Sequence, residues 1–293
     1  MLYKVSHKTL YTYSGPVSLC HNMARLVPRN TGRQACKNSK ILIDPYPDVL
    51  TEFEDFFGNK VMYFAIQREH TDLRVTVLSE IEKSAHGALE INLYGNMPWE
   101  EVRRQLTAQG PAFIDALQYI PETAMTAISA PVAAYALESF TPGRPVFAAA
   151  HELMQRIYHD FTFHPGFTTV ATPISDVMRD RRGVCQDFAH LAIACVRSVG
   201  LPARYMSGYL ETQPPPGVEK LHGVDASHAW FAVFIPDMGW VEFDPTNNQI
   251  PSEQHITIGW GRDYADIAPL KGVIVSTGGH KLSVSVDVRR IQH

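Results

Sequence analysis

The chain opens on a period of two. Tyr3, Val5, His7, Thr9, Tyr11 and Tyr13 fall on one face of an extended segment, the pattern of a strand with one covered side. Ile41 and Ile43 repeat the alternation before Pro45 and Pro47, and Leu73, Val75 and Val77 repeat it after the Gly58-Asn59 turn. Residues 1 to about 85 therefore predict a small antiparallel β unit. From 98 to 160 the spacing becomes helical. Val146, Ala149, Leu153 and Ile157 share a face of a helix that opens near Pro145. The change of period places a boundary between about 85 and 110, and we set it after residue 95, dividing the chain into 1–95 and 96–293.

A second helix begins at Cys185. Phe188, Leu191, Ala192, Cys195 and Val199 follow at helical spacing, and Gly200 with Pro202 ends it. A strand is predicted over Ala203–Leu210, a surface loop at Gln213-Pro214-Pro215-Pro216-Gly217, and a strand from His228 to Ile235. A turn at Pro236-Asp237-Met238-Gly239 leads into a strand over Trp240–Phe243. Leu282, Val284, Val286 and Val288 alternate strictly, a tail strand. No internal repeat or low-complexity segment interrupts this order.

Composition narrows the class. The chain has 293 residues, 45% of them hydrophobic, enough for one large or two ordinary cores. With 26 basic and 30 acidic residues it is nearly neutral, which argues against nucleic acid or an anionic membrane as partner. The alternating N-terminus lacks the apolar stretch of a signal peptide, and no segment approaches the roughly 18 apolar residues of a membrane span. A cytoplasmic location is expected. The cysteines are Cys20, Cys36, Cys185 and Cys195. Four in so long a chain do not suggest a disulfide framework, and there is no CxxC pair for structural zinc.

Cys185 is the candidate for chemistry. It stands in Arg181-Arg182-Gly183-Val184-Cys185-Gln186-Asp187-Phe188. A thiol at a helix start lies at the positive end of the helix dipole, close to free backbone N–H groups that favour the thiolate and can hold an oxyanion. Arg181 and Arg182 would add to this field if they point inward. Alone, Cys185 is equally readable as a packing residue, which is the reading for Cys195 in its apolar run. His228 stands at the mouth of an apolar strand, where a histidine either caps a turn or serves as a base of near-neutral pKa. Asp244 closes the next strand. It either forms the turn before Pro245 or fixes the imidazole tautomer. If Ile235 pairs with Trp240 across the turn, Asp244 falls opposite Phe231, on the other face from His228. The two then need a bulge, a bend or another register to meet.

The segments Gly183-Val184-Cys185-Gln186-Asp187-Phe188-Ala189, Gly200-Leu201-Pro202-Ala203-Arg204-Tyr205, Ser207-Gly208-Tyr209, His228-Ala229-Trp230, Gly239-Trp240 and Phe243-Asp244-Pro245-Thr246 together resemble the core of the bacterial transglutaminase-like superfamily over roughly 150–248. Tyr11, Tyr13, Pro16-Val17, Pro28 and Phe57-Gly58-Asn59 resemble the β region that precedes this core in bacterial proteins. The resemblance implies an α+β fold, a papain-like core behind an N-terminal antiparallel β domain. It implies a triad of Cys185 as nucleophile, His228 as base and Asp244 as orienting carboxylate. The expected activity is cysteine-dependent attack on amide bonds of protein or peptide substrates, with a peptidase or amidase favoured. The alternatives are a glutamine transglutaminase and a non-catalytic binding or assembly module.

Other groups point away from a second chemistry. Asp187, in the first turn of its helix, reads as a cap. Arg204, Tyr205 and Tyr209 read as packing or cleft-lining residues, and Trp230 and Trp240 as core. His151-Glu152 begins a zinc-helix motif but lacks its second histidine, and His159 with His164 has no third ligand. No phosphate loop is present, since Gly278-Gly279 lacks the lysine and the strand–helix context. No metal and no cofactor is expected.

Overall fold

The computed structural model describes residues 1–84, 97–108, 113–212, 226–236 and 238–291. The Gln213–Gly217 loop and Asp237 of the predicted turn lie outside them. The strands are β1 (Leu2–Ala24), β2 (Gln34–Asp44), β3 (Val49–Glu54), β4 (Lys60–Ile66) and β5 (His70–Lys83). Helices follow: α1 (Trp99–Ala108), α2 (Ile114–Leu117), α3 (Ala130–Ser139) and α4 (Val146–Asp160). Then come β6 (Thr162–Phe163), α5 (Ile174–Asp180), β7 (Arg182–Gly183), α6 (Cys185–Ser198), β8 (Ala203–Leu210), β9 (Ala226–Ile235), β10 (Gly239–Phe243), β11 (His255–Gly261), β12 (Leu270–Ser276) and β13 (His280–Ile291).

The first sheet is built around β1. Its first half pairs with β5 and β13, and its second half with β4 and β12. The period-two face read from the sequence is the covered one, with Tyr3, Val5, His7, Thr9 and Tyr13 buried. The tail strands β12 and β13 join this sheet, not the core sheet. A boundary at 95/96 thus divides the chain but not the sheet, which takes strands from both sides of it.

The second sheet has the order β10-β9-β8-β11. Alternation sorts its residues. Ala203, Tyr205, Ala229, Phe231, Val233, Val241 and Phe243 pack into one large core with α3, α4 and α6. On the opposite face Met206, Trp230 and Ala232 pack with Trp240 and Trp260. The helix faces predicted from Val146 to Ile157 and from Phe188 to Val199 are the buried ones. Gly200, at φ 81°, turns the chain out of α6 as a residue with a Cβ would not.

At the open edge of β11, side chains from the first domain replace a missing strand. The Gln34 amide accepts from Thr257 N at 2.9 Å and donates to Thr257 O at 2.7 Å. The Asn59 amide accepts from Trp260 N at 3.0 Å and donates to Trp260 O at 2.8 Å. Each amide supplies the donor and acceptor that a neighbouring strand would, so the edge is closed. Between them Gly259 sits at a register shift, and a Cβ there would run into Asn59 and Ile267. This junction fixes β11, whose first residue is His255, against the rest of the molecule.

Candidate functional site

Cys185 is the first residue of α6, half-buried at the helix N-terminus. The preceding residues are held by a crossing of short elements. Arg182 and Gly183 pair in parallel with Thr162 and Phe163. Asp187 turns back and accepts from Val184 N at 2.8 Å and from the Thr168 hydroxyl at 2.6 Å. It is therefore a cap. Gly183 is needed for a reason other than backbone freedom, because a Cβ at 183 would collide with the Asp187 side chain. The flanking arginines are turned onto aromatic rings. Arg181 lies 4.6 Å from the Phe161 centroid and Arg182 lies 5.7 Å from that of Phe167.

His228 and Asp244 come together through a register one residue from the sequence expectation. Ile235 pairs with Gly239, not Trp240, and the ladder runs to Phe243 opposite Phe231. Continued by one step, Asp244 falls at the level of Trp230 and so on the face that carries His228, two residues along. A shift of one residue exchanges the faces of a strand. Asp244 then leaves the ladder and bridges to Gln249. His228 Nε2 stands 2.7 Å from Asp244 Oδ2. Its other neighbour is Cys185, whose side chain interacts with the imidazole by hydrogen bonding and by charge. Burial alone would pull the His228 pKa down, but the Asp244 hydrogen bond, the Cys185 thiol and the charges of both outweigh it and raise it to about 10.

Asp244 has no exposed surface and is fully used. Oδ1 accepts from Thr246 N at 3.0 Å and Asn247 N at 3.3 Å. Oδ2 accepts from His228, from Asn247 Nδ2 at 2.7 Å and from His255 Nε2 at 3.0 Å. Burial pushes its pKa up, and the two histidines more than reverse this, so the carboxylate stays ionised well below the usual range. His255 Nδ1 accepts from Ser252 N at 3.4 Å, which leaves Nε2 as the protonated nitrogen. Burial lowers the pKa of His255, favouring this neutral form. Asp244 thus carries two imidazoles, of which only His228 faces the thiol.

Neither His255 nor Asn247 was expected from the sequence. A histidine ahead of an apolar run was the one signal for His255, and it was the same signal that His228 gave; Asn247, in the turn after Asp244, had none. The pair Trp230 and Glu242 was also missed as a pair. Trp230 Nε1 donates to Glu242 at 2.7 Å while its ring stacks on His228. Tyr205 is buried beside Cys185, whose charge adds to the burial that raises the Tyr205 pKa. Tyr209 is buried in the first-domain contact. Cys20, Cys36 and Cys195 are free thiols, Cys195 fully buried.

The ligand atoms of His228, Asp244 and His255 all lie within 4.8 Å of one another, so they have the makings of a cation site. The distances fit hydrogen bonds better. Two donors of a tetrahedral zinc sit about 3.3 Å apart, whereas these nitrogens lie 2.7 and 3.0 Å from one shared oxygen. Glu152 of the truncated zinc-helix motif is paired with Arg144. Among the described residues no helix is long and apolar enough to cross a membrane.

A cysteine at a helix N-terminus facing a histidine on a sheet strand, with a carboxylate behind it, is the arrangement of a papain-like thiol site. The comparisons agree in class. Residues 3–82 match the bacterial transglutaminase-like N-terminal region, and residues 134–245 match the transglutaminase-like superfamily core. The chain belongs to this bacterial transglutaminase-like family. It is 40% identical over 295 residues to an uncharacterized protein of Mycobacterium tuberculosis, covering 98% of this chain and 92% of that one. It is 34% identical over 105 residues to a protein-glutamine gamma-glutamyltransferase of Pseudomonas aeruginosa, a match that spans 34% of this chain and 15% of that protein. The crystal structure of a candidate cysteine protease from Cytophaga hutchinsonii aligns over 100% of this chain and 92% of its own, with TM-score 0.73 and 20% identity. At that identity the likeness concerns the fold.

Proposed function

We propose that this protein is a cysteine-dependent enzyme that opens amide bonds of protein or peptide substrates through a thioester. The observation that carries the proposal is the placement of His228 between Asp244 and Cys185. In the resting pair the imidazole is protonated and Cys185 carries the thiolate. The sulfur attacks the amide carbonyl, a C–S bond forms, and the carbonyl electrons move to oxygen. The N–H groups of the first turn of α6 have no partner within the helix and can donate to that oxyanion. As the tetrahedral centre collapses the C–N bond breaks, and the leaving nitrogen takes the proton from His228. The thioester remains, with neutral His228 beside it. An incoming water gives its proton to His228 and its oxygen to the acyl carbon, and the C–S bond breaks to restore the ion pair. Asp244 stabilises the imidazolium in both halves and holds the Nε2–H tautomer.

We favour hydrolysis, giving a peptidase or amidase. A primary amine in place of water would give transamidation, and the local likeness to a glutamyltransferase favours this as the second reading. The test is a glutamine-containing peptide supplied with and without a labelled primary amine. Cleavage products or ammonia alone are expected for the hydrolase, and label incorporation supports the transamidase. Absence of all three, with no acyl adduct on Cys185, contradicts an enzymatic role and leaves a binding module.

A further inference from the structure

Among the described residues, a cavity of about 700 Å³ lies away from Cys185. It lies between the first domain and the opposite face of the core sheet, and Arg204, Trp240, Trp260, His255, Glu242 and Lys83 line it. Arg204 is 7% exposed. Its guanidinium is held between two indoles, 4.3 Å from the centroid of Trp240 and 3.8 Å from that of Trp260. Its Nε has no hydrogen-bond partner, and no described residue accepts a hydrogen bond from the group. With a ring on each face, its N–H donors can act only edgewise. Burial draws its pKa down to about 9, with Glu242 the main opposing charge. Glu242 is itself engaged by Trp230. A buried cation with an unspent donor at the wall of a cavity is costly unless an anion or water completes it.

The wall also selects the kind of anion. Arg33 and Lys83 stand with Arg204, and Asp115, Glu242 and Glu253 oppose them. With three charges of each sign, the wall has no excess of cations to neutralise a phosphate dianion. A single planar carboxylate fits the edge of one guanidinium. The cavity also touches the triad from behind. His255 lines it and donates to Asp244, and the Lys83 ammonium holds the His255 carbonyl at 2.5 Å.

We propose that this cavity binds a small carboxylate-bearing molecule on Arg204, and that occupancy is transmitted through His255 to Asp244 and so to the reactivity of Cys185. The second half rests on the proposed function of the triad, and the first does not. Three of the four tryptophans, Trp230, Trp240 and Trp260, lie in or behind this wall, so tryptophan fluorescence of the full chain reports binding whether or not the enzyme turns over. The probes are hippurate and its neutral amide, hippuramide, with inorganic phosphate as the competing anion. Hippurate should change the fluorescence saturably, hippuramide and phosphate should not, and Arg204→Met should weaken hippurate at least tenfold while Arg204→Lys keeps part of it. Equal behaviour of hippurate and hippuramide with wild-type protein, or a response to phosphate alone, overturns the site even if Arg204→Met does not fold. Saturating hippurate should change the rate of Cys185 alkylation at least twofold in wild type and not in His255→Phe. An unchanged wild-type rate, or an equal change in His255→Phe, overturns the coupling.

Discussion

His228 Nε2 and Asp244 Oδ2 meet at 2.7 Å across β9 and the end of β10 because Gly239, not Trp240, pairs with Ile235. That contact commits Nε2 to the carboxylate and leaves the other ring nitrogen for Cys185. Asp244→Asn keeps the shape but removes the charge that opposes burial of the imidazolium. The His228 pKa should then fall, with only the Cys185 contribution left against burial, read by NMR titration of the ring. Turnover should drop by about three to four orders of magnitude, with the melting curve little changed. A His228 titration that stays raised in Asp244→Asn would show that Asp244 is not what holds it.

Stability should depend on pH with opposite signs on two sides. His7 and His190 are buried and lowered to about 4. Between about 6.5 and 4 the unfolded chain binds protons that the folded one does not, so stability falls as pH falls through that window. The full cost is on the order of 3 kcal/mol per histidine. His228 is raised to about 10, so its contribution is present below about 6.5 and is lost as pH rises through its folded value. His7→Phe should flatten the acid limb of a melting-temperature profile, and His228→Gln the alkaline limb. An alkaline limb unaltered by His228→Gln would remove the ion pair from the account.

Two glycines guard the site by having no side chain. At Gly183 a Cβ would collide with Asp187, and at Gly208, opposite His228, it would collide with Trp230 and the Ile256 carbonyl. Gly183→Ala should loosen the start of α6, and Gly208→Ala should displace the ring stacked on His228. Each is expected to cost about 1–3 kcal/mol in denaturant unfolding and to lower turnover. Full stability in Gly208→Ala would mean that both Trp230 and the β11 backbone at Ile256 give way.

The clasp on β11 is testable separately. Gln34→Ala orphans the Thr257 N–H, whose C=O keeps its bond from Arg29 N, and Asn59→Ala orphans the N–H and C=O of Trp260. A loss of about 1–3 kcal/mol each is expected, with faster hydrogen exchange at those amides. Unchanged exchange at Trp260 in Asn59→Ala would show that the strand edge does not depend on the side chain.

Much of this was legible in the sequence because burial leaves a period. The alternation from Tyr3 to Tyr13 and the helix faces of α4 and α6 reach the structure as read. What was not legible depends on hairpin register and on contacts across long sequence gaps. The face of Asp244 turned on one residue of hairpin register, which the Pro236–Gly239 turn does not announce. The tail strand at Leu282–Val288 was recognised, but its pairing with β1, at the far end of the chain, has no local signature. His255 has no local feature that sets it apart in the sequence, and only the fold brings it to the second side of Asp244. Arg204 sat in a recognised segment, yet only the packed indoles show that its donors are unspent.

The central claim is that Cys185 and His228 form a reactive pair, and alkylation tests it most directly. Full-length protein is treated with iodoacetamide from pH 5 to 9, and the labelled cysteine is mapped by mass spectrometry. Cys185 should be labelled quickly well below pH 8 in wild type, and the advantage should vanish in His228→Ala. Labelling of Cys185 no faster than that of Cys20 or Cys36, or unchanged in His228→Ala, would contradict it.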